Sequence, residues 1–126
     1  INVFSYIEKC ISETKWFTNK DLNKIVVNLV KSDDVHYIHA HQGQQVALYY
    51  VNMDWRDGWY GETIFYDETM TEAEQTVLYK PNRAILFDGN TPHSIRPSSH
   101  IAPQYRFTLG IFFKQPNFIQ EAKNNT

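Results

Sequence analysis

Gly61-Glu62-Thr63-Ile64-Phe65-Tyr66 sets the reading of this chain, because Glu62 to Tyr66 is a β-branched and aromatic run closed by polar residues, the composition of a short strand. The same signal recurs on both sides of it. Val35 to His41, Gln45 to Asn52, Thr76 to Tyr79, Arg83 to Asp88, His93 to Arg96 and Tyr105 to Lys114 all read as strands. Turn residues punctuate them: Gln42-Gly43-Gln44 suits a tight hairpin, Asp57-Gly58 and Pro81-Asn82 are further turns, and Asp88-Gly89-Asn90 is a fourth. Asp21 to Val30 is ambiguous. Thr18 and Asp21 resemble a helix cap, whereas Ile25-Val26-Val27 is β-branched, and the balance falls on strand. Many short strands at close spacing indicate a double-sheet jelly roll or small barrel rather than an alternating β/α fold.

Phe4, Ile7 and Ile11 recur at helical spacing, so residues 3 to 13 are expected to form an amphipathic helix packed on a sheet. The expected architecture is therefore mainly β, with one or two N-terminal helices. A length of 126 residues suits one domain, with its core over about 25–114. A chain of this size buries roughly two-thirds of its unfolded surface. The tail from Gln115 to Thr126 is expected to fray.

A formal charge of −2 and a pI near 6.2, with lysines and arginines scattered, provide no basic field for nucleic acid. The single cysteine, Cys10, cannot form an intramolecular disulfide, which excludes a secreted disulfide scaffold. No apolar run approaches the ~20 residues that span a bilayer, and no signal-peptide pattern opens the chain. These features lead to the expectation of a soluble protein, with the cytoplasm as the default compartment.

His39-Ala40-His41 presents two imidazoles at i, i+2, on one face of an extended segment, and His93 follows a Gly-Asn-Thr-Pro turn at a strand start. Three histidines from separate places in the chain can converge on one metal. Arg106 and Thr108 share a strand face, where a guanidinium beside a hydroxyl suits a carboxylate ligand. The plain alternative for Arg106 is a salt bridge that caps the sheet edge. Of Tyr49 and Tyr50 one faces inward and one outward, and the spacing leaves open which.

Leu48-Tyr49-Tyr50-Val51-Asn52, Trp55, Gly61-Glu62-Thr63-Ile64-Phe65, Lys80 to Gly89, Pro92-His93-Ser94 and Arg106-Phe107-Thr108, in this order, resemble the prolyl-4-hydroxylase-like branch of Fe(II)/2-oxoglutarate-dependent oxygenases of the bacterial and marine phage type. The resemblance covers roughly residues 36 to 114. It implies a double-stranded β-helix and a dioxygenase that hydroxylates a C–H bond of a small-molecule or peptide substrate, with a peptidyl proline or an amino acid as the substrate class. It further implies Fe(II) on His39, His41 and His93, with 2-oxoglutarate as cosubstrate held by Arg106, Thr108 and Tyr50. One departure stands out. The family carries His-x-Asp where this chain has His39-x-His41, so the site is either three histidines or recruits a carboxylate, with Asp34 and Glu62 as candidates. Loss of that carboxylate leaves a divalent site one negative charge short, which weakens it.

A rival resemblance is to cupins, through His39-x-His41-x3-Gln45 and the later His93, and it implies a metal-binding protein without a 2-oxoglutarate requirement. A third reading is a non-catalytic β-barrel binding module. Trp55 and Trp59, which flank a turn, read as hairpin-end packing, and Arg83 as a brace for its own turn. His36 and His100 have no spacing that argues for iron.

Overall fold

The computed structural model describes Lys9, Glu13 and residues 21–103 and 105–114. Both the helix expected over residues 3 to 13 and the tail from Gln115 lie outside the described residues, apart from Lys9 and Glu13.

Seven strands form: β1 (Asp21–Val30), β2 (Gln44–Tyr50), β3 (Thr63–Tyr66), β4 (Ala73–Val77), β5 (Ala84–Asp88), β6 (His93–Ile95) and β7 (Arg106–Lys114), with a short 3-10 turn at Asp57–Trp59. The major sheet has the order β1-β7-β2-β5 and the minor sheet β4-β3-β6, with every pairing antiparallel. A bridge between His39 and His93 adds the His39 segment to the free side of β6. The chain thus crosses repeatedly between two facing sheets, and the fold is a double-stranded β-helix. Closure onto itself is how such a structure limits its open edges.

The ambiguous segment resolves as β1, whose β-branched run pairs along β7 from Asp21↔Lys114 to Val30↔Arg106. Three local expectations need correction. Val35 to His41 is irregular except at the His39 bridge, so His39 is held by its pairing with His93 and His41 by its N–H bond to the Gly89 carbonyl, not by a full ladder. Gln42-Gly43-Gln44 is no hairpin, because it hands the chain from the minor sheet to β2, with Gly43 at φ 69°. The fourth strand lies at Ala73–Val77, upstream of the predicted Thr76 to Tyr79. As an edge strand exposed over most of its length, it carries Glu74 and Gln75 on solvated positions, and a polar edge hides the period-two signal.

Register sorts the side chains of β7. Leu109, Ile111 and Phe113 face away from the barrel and bury with Ala47, while Arg106, Thr108, Gly110 and Phe112 face the barrel interior. From β2, Val46, Leu48 and Tyr50 join that inner face, directly across from Phe112, Gly110 and Thr108. Phe65 of the minor sheet meets Phe87 of the major sheet at 4.9 Å between ring centroids, which closes the core between the sheets.

Candidate metal centre

His93 is the first residue of β6, and its backbone exchanges hydrogen bonds with His39, N–H to O at 2.9 and 3.0 Å. That reciprocal pair fixes the two rings side by side, with centroids 4.4 Å apart. The His41 ring lies 5.1 Å from His39 and 5.2 Å from His93. Ligand nitrogens of all three lie within 4.8 Å of one another; metal–nitrogen bonds of ~2.0–2.1 Å hold two ligand atoms at most ~4.2 Å apart, so a small inward shift of the rings lets the three share one ion. His93 is buried, His41 half-buried and His39 exposed, so the cluster opens to solvent on one side.

Two of the rings are already oriented. His39 Nδ1 lies 2.9 Å from the Tyr37 carbonyl and His93 Nδ1 2.8 Å from the Thr91 carbonyl, so Nδ1 carries the hydrogen and Nε2 keeps its lone pair. Phe112 packs 4.9 Å from His41, and Phe87 lies 5.0 Å from His93. This apolar bed disfavours the charged imidazole. Burial lowers the His93 pKa, and burial first, then the neighbouring His93, His39 and Lys24, brings His41 from 6.5 to about 4. Between pH 6.5 and 4 the folded His41 binds fewer protons than the unfolded chain does. The metal-free protein is therefore expected to lose stability as pH falls through that window, and a bound divalent ion is expected to oppose the loss; melting temperature against pH, with and without metal, checks this.

Gly89 lets the turn after β5 pass behind His41. A Cβ there would stand 2.6 Å from both the Gln44 and His41 carbonyl oxygens, while the His41 N–H already donates to the Gly89 carbonyl at 2.6 Å. Gly89→Ala is expected to displace His41 and to lower both stability and metal affinity, as read by thermal melts and metal titration.

Neither candidate carboxylate reaches the cluster. Among the described residues no Asp, Glu or Cys joins the three histidines. Asp34 accepts from the Lys31 N–H at 2.7 Å, and Glu62 pairs with Arg96 at 3.1 Å. Gln45 shares a face of β2 with Ala47 and Tyr49, away from the barrel interior.

Deeper in the barrel lies a second constellation. Arg106 is fully buried at the start of β7; its Nε donates to the Gly61 carbonyl at 2.8 Å, and its guanidinium lies over the Tyr79 and Tyr50 rings at 4.9 and 5.4 Å. Among the described residues Nη1 and Nη2 have no hydrogen-bond partner. Burial lowers the Arg106 pKa, with Tyr50, Tyr79 and Glu62 opposing. Among the described residues no carboxylate forms the edge-capping salt bridge with Arg106.

Tyr50 is the inward tyrosine, buried, with its hydroxyl 2.6 Å from Thr63 Oγ1; Tyr49 faces outward and donates to Asn82. Thr108, buried two residues beyond Arg106, stands opposite Tyr50 in the β2–β7 register. His93 pairs with Phe65, and Thr63 is two residues along β3, so the Tyr50 hydroxyl is anchored about 7 Å farther along the barrel than the His93 level.

Tyr79 and Gly61 complete this wall, and reading the sequence residue by residue had given neither a role. Tyr79 stacks on Tyr50 at 4.2 Å and its hydroxyl bonds Asn52 and the Phe107 carbonyl. A Cβ on Gly61 would meet Trp55 at 3.1 Å and Arg106 at 3.3 Å, and its φ of 79° suits glycine. The available signal was the position of Gly61 directly before Glu62-Thr63 in the quoted stretch. Trp55 is core, packed on Tyr79 and Trp59, and Arg83 braces its turn through the Leu78 carbonyl.

No helix among the described residues is long and apolar enough to cross a membrane. The sequence matches no protein-family model and no curated protein. At the level of fold the chain is similar to a prolyl hydroxylase from Trichoplax adhaerens, solved in complex with a hypoxia inducible factor oxygen degradation domain peptide fragment: TM-score 0.62 and 18% identity over 90% of this chain and 57% of that one. It is also similar to a prolyl 4-hydroxylase from Phytophthora capsici, at TM-score 0.58 and 17% identity over 89% of this chain and 40% of that one. The chain spans little more than half the length of the first and less than half of the second, and what it shares with both is the double-stranded β-helix.

Proposed function

We propose that this chain is an Fe(II)/2-oxoglutarate-dependent oxygenase that hydroxylates a C–H bond of a small-molecule or peptide substrate, a peptidyl proline or an amino acid being the class the resemblance favours. The observation that carries the reading is the fully buried Arg106 guanidinium with Nη1 and Nη2 unpartnered, in the same barrel as three convergent imidazoles. A buried charge whose terminal nitrogens lack acceptors is costly even beside the Tyr50 and Tyr79 rings, and an anionic ligand relieves that cost. An edge-capping arginine or a cupin-type metal site has no need of it, and Gln45, the extra ligand of the cupin reading, lies on the wrong face of β2.

The donor set fits the group. His39, His41 and His93 would hold the ion, and all three are kept neutral or already oriented for it. Arg106 would take the distal carboxylate of 2-oxoglutarate through Nη1 and Nη2, in a fork geometry that a lysine lacks. Tyr50, held by Thr63, and Thr108 would supply hydroxyls beside it. Phe65, Phe87 and Phe112 would keep water from the side of the site away from solvent. When bound, iron and 2-oxoglutarate together supply dioxygen activation coupled to decarboxylation of the keto acid to succinate.

Anaerobic titration of the protein with Fe(II) and then 2-oxoglutarate tests this. A visible charge-transfer band, lost in Arg106→Met at matched ligand concentration, is the expected result. Metal binding without any keto-acid band would leave the cupin or binding-module reading in its place.

A further inference from the structure

We propose that His36 is a ligand-contacting residue of this site, its Nε2 donating a hydrogen bond to the dicarboxylate bound between Arg106 and the imidazole cluster. The inference rests on the 2-oxoglutarate reading and extends it to a residue outside the metal ligands and the arginine anchor.

Five buried side-chain polar atoms among the described residues lack a protein partner: Nη1 and Nη2 of Arg106, Nε2 of His36, Oε2 of Glu62 and Oγ of Ser98. Two of them belong elsewhere. Glu62 precedes Thr63 and so faces the opposite side of the chain, where Arg96 binds its other carboxylate oxygen, and Ser98 lies beyond β6 on a backbone bridge to Tyr60. The remaining atoms belong to neighbouring parts of the fold: β1 ends at Val30, which pairs with Arg106, and His39 pairs with His93, so His36 lies on the segment that runs from the anchor to the metal cluster. The charges of both Arg106 and His39 act on its ring.

The chain on either side of His36 is fixed. After β1, the Lys31 N–H donates to Asp34 Oδ2 and the Asp34 N–H donates to the Lys31 carbonyl, which locks the turn, and three residues past His36 the His39–His93 backbone pair locks the other end. A polar nitrogen buried on a tethered segment without a partner is costly, and a ligand acceptor facing it relieves that cost. Burial, first among the causes, lowers the His36 pKa, with Asp34 opposing and Arg106 and His39 adding to it. The ring is thus neutral near pH 7 and carries a single N–H, and a carboxylate oxygen facing Nε2 selects the tautomer with hydrogen there.

The test is calorimetric titration of Mn(II)-loaded protein with 2-oxoglutarate under argon, using wild type, His36→Phe, His36→Gln and Arg106→Met, with Mn(II) affinity measured separately without keto acid. His36→Phe keeps the ring volume without an N–H, and Gln places an amide nitrogen near the Nε2 position. Expected is a loss of roughly tenfold or more in 2-oxoglutarate affinity for His36→Phe, near wild-type affinity for His36→Gln, and unchanged Mn(II) affinity in both. His36→Ala supplies the comparison should the Phe variant not fold. Wild-type 2-oxoglutarate affinity in the Phe or Ala variant, equal losses in Phe and Gln, or a parallel fall in Mn(II) affinity would each overturn the assignment. Loss of binding in Arg106→Met but not in His36→Phe overturns this inference alone, whereas a wild-type protein that binds Mn(II) and no 2-oxoglutarate overturns it together with the functional reading.

Discussion

Arg106→Met is expected to lower 2-oxoglutarate affinity between about 30-fold and a few thousand-fold, the equivalent of about 2–5 kcal/mol for a desolvated charge-assisted contact. The size follows from burial: the guanidinium is wholly withdrawn from water, and its two terminal nitrogens make no hydrogen bond among the described residues. Metal affinity without keto acid should not move, since Arg106 lies outside the histidine cluster. Stability supplies an independent readout. In the ligand-free protein the variant removes a buried charge that has no salt bridge among the described residues, together with one hydrogen bond to the Gly61 carbonyl, so its melting temperature is expected to equal or exceed that of wild type. Added 2-oxoglutarate should raise the melting temperature of wild type only. An arginine with a purely structural role predicts the reverse, a less stable variant with unchanged ligand response.

Much of this arrangement was legible in the sequence, and the reasons differ by element. Strands β2, β5 and β7 announce themselves because one or both faces are apolar; even so, the pattern in β7 does not say that Arg106 and Thr108 are buried on the inner face while Leu109 and Ile111 cover the other. Register against β2 and β1 decides that, and register is a long-range property. The same holds for Tyr49 and Tyr50, where alternation guarantees opposite faces and only the pairing with Thr108 selects Tyr50. Strand β4 was misplaced because an exposed edge has no buried face to impose a period. The spacing of His39 and His41 did suggest a shared face, but the fixing contacts are the backbone pair of His39 with His93, 54 positions away, and the bond from the His41 N–H to the Gly89 carbonyl, which no local pattern encodes. Tyr79 and His36 carried no signal at all. Their interest comes from burial and from missing partners, and both are properties of the folded state.

His41→Asp is expected to retain or strengthen Fe(II) binding, whereas His41→Ala should weaken it substantially. Three neutral imidazoles leave a divalent ion with its full charge in an apolar surround of Phe65, Phe87 and Phe112. A carboxylate at position 41 neutralises one unit of that charge, and in a low-dielectric site the attraction is much larger than in water. It also restores the His-x-Asp pattern of the family that the sequence resembles. The low His41 pKa sharpens the comparison, because a neutral wild-type ring means that proton competition contributes little to metal binding near pH 7. Gln45→Ala, on the far face of β2, should leave Fe(II) affinity unchanged; a clear loss would revive the cupin-type ligand set. Succinate formation from 2-oxoglutarate under matched iron then separates the remaining cases. Turnover in wild type identifies three histidines as a competent set. Turnover gained only in His41→Asp identifies a scaffold that keeps the cosubstrate anchor and has lost the charge needed at the metal, and absence in both, with iron bound, points to a metal-binding module built on the same barrel.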